Sequence, residues 1–207
     1  ELNSVVIDVK DYTGRISFET QDPVLKKIGS EEKRIPDIRE FIEELHRDGI
    51  YVIARISVFQ DPYLVSKRPD LAVKTLNGQI WKDRKGIKWL SPTNKEVWNY
   101  TVQIARESER VGFDELNFDY VRFPSDGNMK DVSYDHWKGE PPMAEMIRQF
   151  FEYLSENLKD AGVPLSVDLF GMTTVNTDDL NIGQILENAA PYFDYISPMV
   201  YPSHYPS

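Results

Sequence analysis

The 207-residue chain has no cysteine, which excludes disulfide staples and thiolate metal sites but leaves its compartment open. No stretch approaches the roughly 20 consecutive apolar residues that cross a bilayer, so no membrane-spanning segment is expected. Positive charge is the minority sign. With 24 Lys and Arg against 34 Asp and Glu the formal net charge is -10, which offers no general attraction to phosphate backbones or anionic lipid. Nucleic acid is therefore not an expected partner. Histidine is scarce as well: there are three, with no H-x-H or H-E-x-x-H spacing, and neither a metal nor a cofactor is expected. The first apolar run leads into Val9-Lys10-Asp11-Tyr12-Thr13-Gly14, which lacks the G-x-G-x-x-G turn of a dinucleotide-binding sheet.

What is present is a hydrophobic content of 41%, enough to bury one sizeable core, and a β/α alternation that recurs along the chain. Apolar runs at Val5 to Val9, Tyr51 to Ser57, Leu116 to Val121, Leu165 to Phe170 and Tyr195 to Val200 read as buried strands. Between them lie helical spacings: Ile38, Phe41, Ile42 and Leu45; Val97, Thr101, Ile104, Ala105 and Ser108; Met143, Met146, Ile147, Phe150, Phe151, Leu154 and Leu158; and Ile182, Ile185, Leu186 and Ala189. Gly49, Gly112 and Gly162 end the first three and Pro191 the last. Strands that follow helices so closely, with no hairpin signal, run parallel.

Connections after helices are short, whereas Lys10 to Pro36, Phe59 to Pro92 and Phe123 to Pro142 are long, so elaboration collects on one face, as in a (β/α)8 barrel. The expected fold class is therefore α/β, a TIM-type barrel. Such a barrel takes about 250 residues, so five parallel strands and four helices predict a single incomplete barrel domain over 1–207, truncated at both ends.

Polar residues gather at the strand ends: Asp8, Lys10 and Asp11; Arg55 and Ser57; Asn117, Asp119 and Arg122; Asp168; Tyr201 and His204. A period of two puts Asn117 and Asp119 on one side of their strand and Leu116, Phe118 and Tyr120 on the other. A buried axial carboxylate is costly unless it is paired or used, so Asp119 predicts either a salt bridge to Arg55 or Arg122, or chemistry. Asp168 has the same character on the neighbouring strand. Adjacent strands lie about 4.8 Å apart, near the ~5 Å separation of a retaining glycosidase's carboxyl pair, and such a pair raises one pKa. Asp11 alternatively begins the turn through Gly14. Arg55 and Arg122 either neutralise these carboxylates or meet substrate. Of the histidines, only His204 falls on the presumed active face. Tyr63, Trp81 and Trp89, in a loop that also carries Lys82, Arg84, Lys85 and Lys88, form either a sugar-stacking wall or loop packing.

The segments Val6-Ile7-Asp8-Val9-Lys10-Asp11, Asn117-Phe118-Asp119-Tyr120-Val121-Arg122-Phe123-Pro124 and Ser197-Pro198-Met199-Val200-Tyr201-Pro202-Ser203-His204-Tyr205 resemble the motifs of a bacterial family of glycoside hydrolases by similarity, (β/α)8 barrels related to the alpha-amylase-like enzymes. The resemblance runs over essentially the whole chain. It implies that Asp119 ends the strand of the amylase-type nucleophile and Asp168 that of the acid/base. Amylase-like enzymes usually carry arginine where this chain has Asn117 and glutamate where it has Asp168. A carbohydrate substrate and a secreted or cell-envelope location are implied as well. The combined expectation is a glycoside hydrolase with Asp119 and Asp168 catalytic and Asp8, Lys10, Arg55, Asn117, Arg122, Tyr201 and His204 binding substrate. The alternatives are a barrel that binds glycans without cleaving them, and a metal-dependent hydrolase using Asp8, Asp119, Asp168 and His204.

Overall fold

The computed structural model describes residues 2–202. Its strands are β1 (Ser4–Lys10), β2 (Tyr51–Ser57), β3 (Lys74–Thr75), β4 (Glu115–Asp119), β5 (Val132–Ser133), β6 (Leu165–Phe170) and β7 (Tyr195–Met199). The helices are α1 (Pro23–Ile28), α2 (Ile38–Arg47), α3 (Pro62–Lys67), α4 (Lys95–Val111), α5 (Met143–Leu158) and α6 (Leu186–Ala189). Five strands form one sheet in the order β1-β2-β4-β6-β7, every neighbour parallel. Crossovers through α2, α4, α5 and α6 make that arrangement possible, and the result is an incomplete TIM-type barrel. The remaining ribbon, β3 with β5, is antiparallel and ties two of the long loops together.

Helix α4 shows how local chemistry sets the elements. Asn94 accepts the Glu96 amide at 2.9 Å, a cap that typically contributes about 1 kcal/mol. At the other end Gly112 adopts φ 113, a left-handed conformation that a side chain would resist. Between the caps, Val97, Trp98, Thr101, Ile104, Ala105 and Ser108 are buried, the face expected from their spacing. Trp98 packs its ring 5.5 Å from that of Phe150 on α5, and Phe150 lies 5.1 Å from Phe59 just beyond β2.

Two expected elements differ. The strand expected to reach Val121 stops at Asp119, because Tyr120 takes φ 53 and turns the chain out of the sheet. The last helix is a single turn, Leu186–Ala189, because Leu180 (φ 55), Asn181 (φ 56) and Gly183 (φ 82) coil the segment that carries Ile182. Ile182 is buried all the same, as a loop anchor.

Candidate active site

Strand alternation sorts the side chains onto two faces. One is apolar and buried: Val52, Ala54 and Ile56 of β2, Leu116 and Phe118 of β4, Leu165, Val167 and Leu169 of β6. The other is polar and carries Asp8, Arg55, Ser57, Asn117, Asp119, Ser166 and Asp168. Register brings them side by side, Asp8 opposite Arg55, Arg55 opposite Asn117, Ser57 opposite Asp119 and Asn117 opposite Ser166. Two residues further along β4 and β6, Asp119 and Asp168 share the same end.

Arg55 is the hub of this end. Its Nη1 donates to Asp8 Oδ1 at 2.7 Å, its Nη2 donates to Asp119 Oδ2, and its Nε lies 3.8 Å from Asp168 Oδ2. One guanidinium therefore touches carboxylates from three strands. Burial opposes the charge on Arg55, but the Asp119 and Asp8 carboxylates outweigh it and hold the pKa above that of an ordinary arginine. Asp119 is almost closed off, with 4% of its side chain exposed, and its Oδ1 accepts the Tyr120 amide at 2.6 Å.

Asp168 is different. Burial, reinforced by the charges of Asp119 and Glu115, pushes its carboxyl up to about 6 against the opposing Asn117 hydrogen bond and Arg55 charge. Asn117 Nδ2 donates to Asp168 Oδ1 at 3.0 Å and to Ser166 Oγ at 3.1 Å, and Ser166 in turn donates to Glu115 Oε1 at 2.5 Å. That chain orients Asp168 from below. Two carboxyl groups thus meet one arginine, and burial makes one of them the more readily protonated.

Arg55, Asp119 and Asp168 line a cleft of about 550 Å³ walled by Ser197, Pro198, Met199, Val200 and Tyr201. On the other side of Arg55, a second cleft of about 580 Å³ is lined by residues that include Asp8, Tyr12, Lys85, Trp89, Tyr120 and Arg122. Asp8, Arg55, Asn117, Asp119 and Asp168 thus converge, and Tyr201 stands at the rim. His204 lies outside the described residues. Ser197 and Met199 were not singled out as site residues, although the Ser197-Pro198-Met199 segment was the available signal.

One expectation changes and two open readings narrow. Lys10 is not a substrate contact: it is 1% exposed, its Nζ donates to the carbonyls of Ser57 (2.6 Å) and Val58 (3.1 Å), and Asp61 Oδ2 lies 3.0 Å away. Arg122 pairs with neither carboxylate; its Nη1 donates to Phe123 O and Ser125 Oγ, both at 3.1 Å. The tryptophans do not form a stacking wall, since Trp81 and Trp89 are 2% and 1% exposed and pack the long loop. Asp11 does begin the turn, accepting the Thr13 amide at 2.9 Å. Among the described residues no group of three or more His, Asp or Glu side chains is arranged to hold a metal ion. The three strand-end aspartates instead surround Arg55.

A parallel (β/α) sheet with its polar cluster gathered at the loop-bearing strand ends is the architecture of a TIM-type barrel with its site at that face. The chain belongs to the family described as "Putative glycosyl hydrolase domain", which matches residues 1–207 and makes it a glycoside hydrolase domain. It is similar to a hypothetical protein from Ruminiclostridium thermocellum, with 39% identity and a TM-score of 0.73 over 81% of this chain and 84% of that one. It shares its fold with the chitobiase of Flavobacterium johnsoniae (16% identity, TM-score 0.58, 95% of this chain and 33% of that one). Alpha-L-fucosidase isoenzyme 2 of Paenibacillus thiaminolyticus is a second such neighbour (14%, 0.58, 82% and 28%). The chain spans a third or less of these last two proteins. No curated protein matches it.

Proposed function

We propose that this domain cleaves the O-glycosidic bonds of an oligosaccharide or polysaccharide with Asp119 as nucleophile and Asp168 as acid/base. The observation that supports this most is the asymmetry of the pair. Arg55 holds Asp119 in direct contact and leaves it almost closed off, whereas Asp168 is further from the guanidinium and its carboxyl is pushed up to about 6. In the first step Asp168 gives its proton to the departing glycosidic oxygen while Asp119 attacks the anomeric carbon. In the second, ionised Asp168 takes a proton from water, which displaces the sugar from Asp119. Arg55 stays charged throughout, Asn117 keeps Asp168 directed upward, and Asp8 and Tyr201 are placed to contact neighbouring sugars.

The test is a glycan panel on wild type and Asp119→Asn. Replacement of the nucleophile is expected to lower turnover by about 10²–10⁴-fold or more while glycan binding persists. Glycan binding with no turnover in either protein would overturn the proposal in favour of a non-catalytic glycan-binding barrel.

A further inference from the structure

The second cleft contains a cation with no ion-pair partner among the described residues. Its four carboxylates are all engaged: Asp8 with Arg55 at 2.7 Å, Asp11 with Arg34 at 2.7 Å, and Asp126 with Arg84 at 3.4 Å. Asp83 accepts the amides of Lys85 and Ile87, both at 2.9 Å, and the Trp89 indole at 3.1 Å. Arg122 has no carboxylate within ion-pair distance among the described residues. Its guanidinium lies over Trp89, 5.1 Å from the ring centroid, and over Tyr120 at 5.8 Å. These rings and the Nη1 bonds to Phe123 O and Ser125 Oγ fix its plane. The Nε–H and Nη2–H donors, which lie side by side along one edge, have no partner among the described residues. That edge is the one with which arginine grips a carboxylate through two parallel hydrogen bonds. Lys85, exposed at the same cleft, also lacks an ion-pair partner among the described residues.

Arg122 is half-buried, and burial lowers its pKa from the ordinary arginine value against the more distant charges of Asp119, Asp126 and Asp83. Tyr12, 57% exposed at the rim, offers a ring face on which a pyranose can stack. The two clefts share Arg55, so a saccharide chain with its scissile bond at Asp119 and Asp168 would lay its next units in the second cleft.

We propose that the second cleft is an anionic-sugar subsite, in which the Nε/Nη2 edge of Arg122, assisted by Lys85, binds the carboxylate of a uronic acid residue. This rests on the glycosidase reading for the location of the scissile bond, but the binding claim stands without turnover.

The experiment is calorimetric binding of oligogalacturonate and glucuronate-containing oligosaccharides, their methyl esters and a sulfated galactan oligomer of equal length. Wild type, Arg122→Met, Arg122→Lys and Lys85→Gln are compared, with the Asp119→Asn variant as the non-cleaving background. At least one uronate series is expected to bind wild type tenfold or more tightly than its methyl ester. Arg122→Met should erase that preference, Arg122→Lys should restore part of it, and Lys85→Gln should lower it a few-fold. Equal binding of acids and esters, or an undiminished preference in Arg122→Met and Lys85→Gln, overturns the proposal. A preference for the sulfated oligomer alone overturns the uronate assignment. Charge-selective, Arg122-dependent binding with no hydrolysis of any oligomer by wild type overturns the glycosidase reading and leaves the subsite standing.

Discussion

Two cation and carboxylate clusters sit at the same end of the sheet and have opposite characters. Lys10 and Asp61 are sealed, 1% and 0% exposed, whereas the Arg55 cluster opens into two clefts. In the sealed cluster every donor of Lys10 is directed at protein: two carbonyls and one carboxylate. Asp61 spends its Oδ1 capping α3 through the Leu64 amide at 2.6 Å, and Gly14 packs so closely that a Cβ there would lie 1.9 Å from that oxygen. In the open cluster one arginine is shared among three aspartates, which leaves carboxylate oxygens available to a ligand. A strand-end charge is therefore structural or chemical according to whether a loop closes over it, and the residue type does not reveal which.

The largest effect separating the two clusters is expected from Lys10→Met. It strands the buried Asp61 charge and should lower stability by about 3–5 kcal/mol, read as a fall in the denaturant midpoint. If stability is unchanged, the sealed Lys10–Asp61 pair does not hold the fold together.

Asp168→Asn should act in the opposite direction. The folded carboxyl titrates at about 6 against an ordinary 3.8, so the folded state binds this proton more tightly than the unfolded chain. Its favourable contribution is complete below pH 3.8 and is lost as pH rises through 6. The amide, which carries no charge, should therefore raise stability at pH 8 by up to about 3 kcal/mol, with little change near pH 3.5. The turnover that depends on the protonated acid should decline in wild type as pH rises past 6, and a flat profile between pH 5 and 8 would remove Asp168 from that role.

The smallest effect is expected from Ser166→Ala, which breaks the bridge between Glu115 and Asn117 beneath the open cluster. A loss of about 1 kcal/mol in thermal or chemical unfolding is expected. Because the Asn117 amide keeps its own bond to Asp168, turnover should change less than in Asp168→Asn, and an equal loss would show that the whole chain acts as one unit.

Much of the fold was legible because it rests on period and punctuation. The runs at Tyr51 to Ser57 and Leu165 to Phe170 coincide with β2 and β6, and Gly112 ends α4 as its position suggested. The α6 region misled because apolar spacing reports burial rather than helicity, and Ile182 is buried from a coil. β3 and β5, two residues each, are too short to carry any period. At the site, alternation correctly placed Asn117 beside Asp119 on one face, and the Arg55 pairing was among the readings of Asp119. Lys10 and Arg122 were less legible. The partner of Lys10 is 51 positions away in a loop, and what distinguishes Arg122 is the carboxylate it lacks.

Tyr120 turns the chain at φ 53, and that single torsion assigns consecutive residues to different rooms. Asp119 faces the compartment walled by Ser197 to Tyr201, while the Tyr120 ring faces the compartment of Trp89 and Arg122, 6.1 Å from the indole. The amide joining them also holds Asp119 Oδ1. A single peptide unit therefore forms part of the wall between the two compartments.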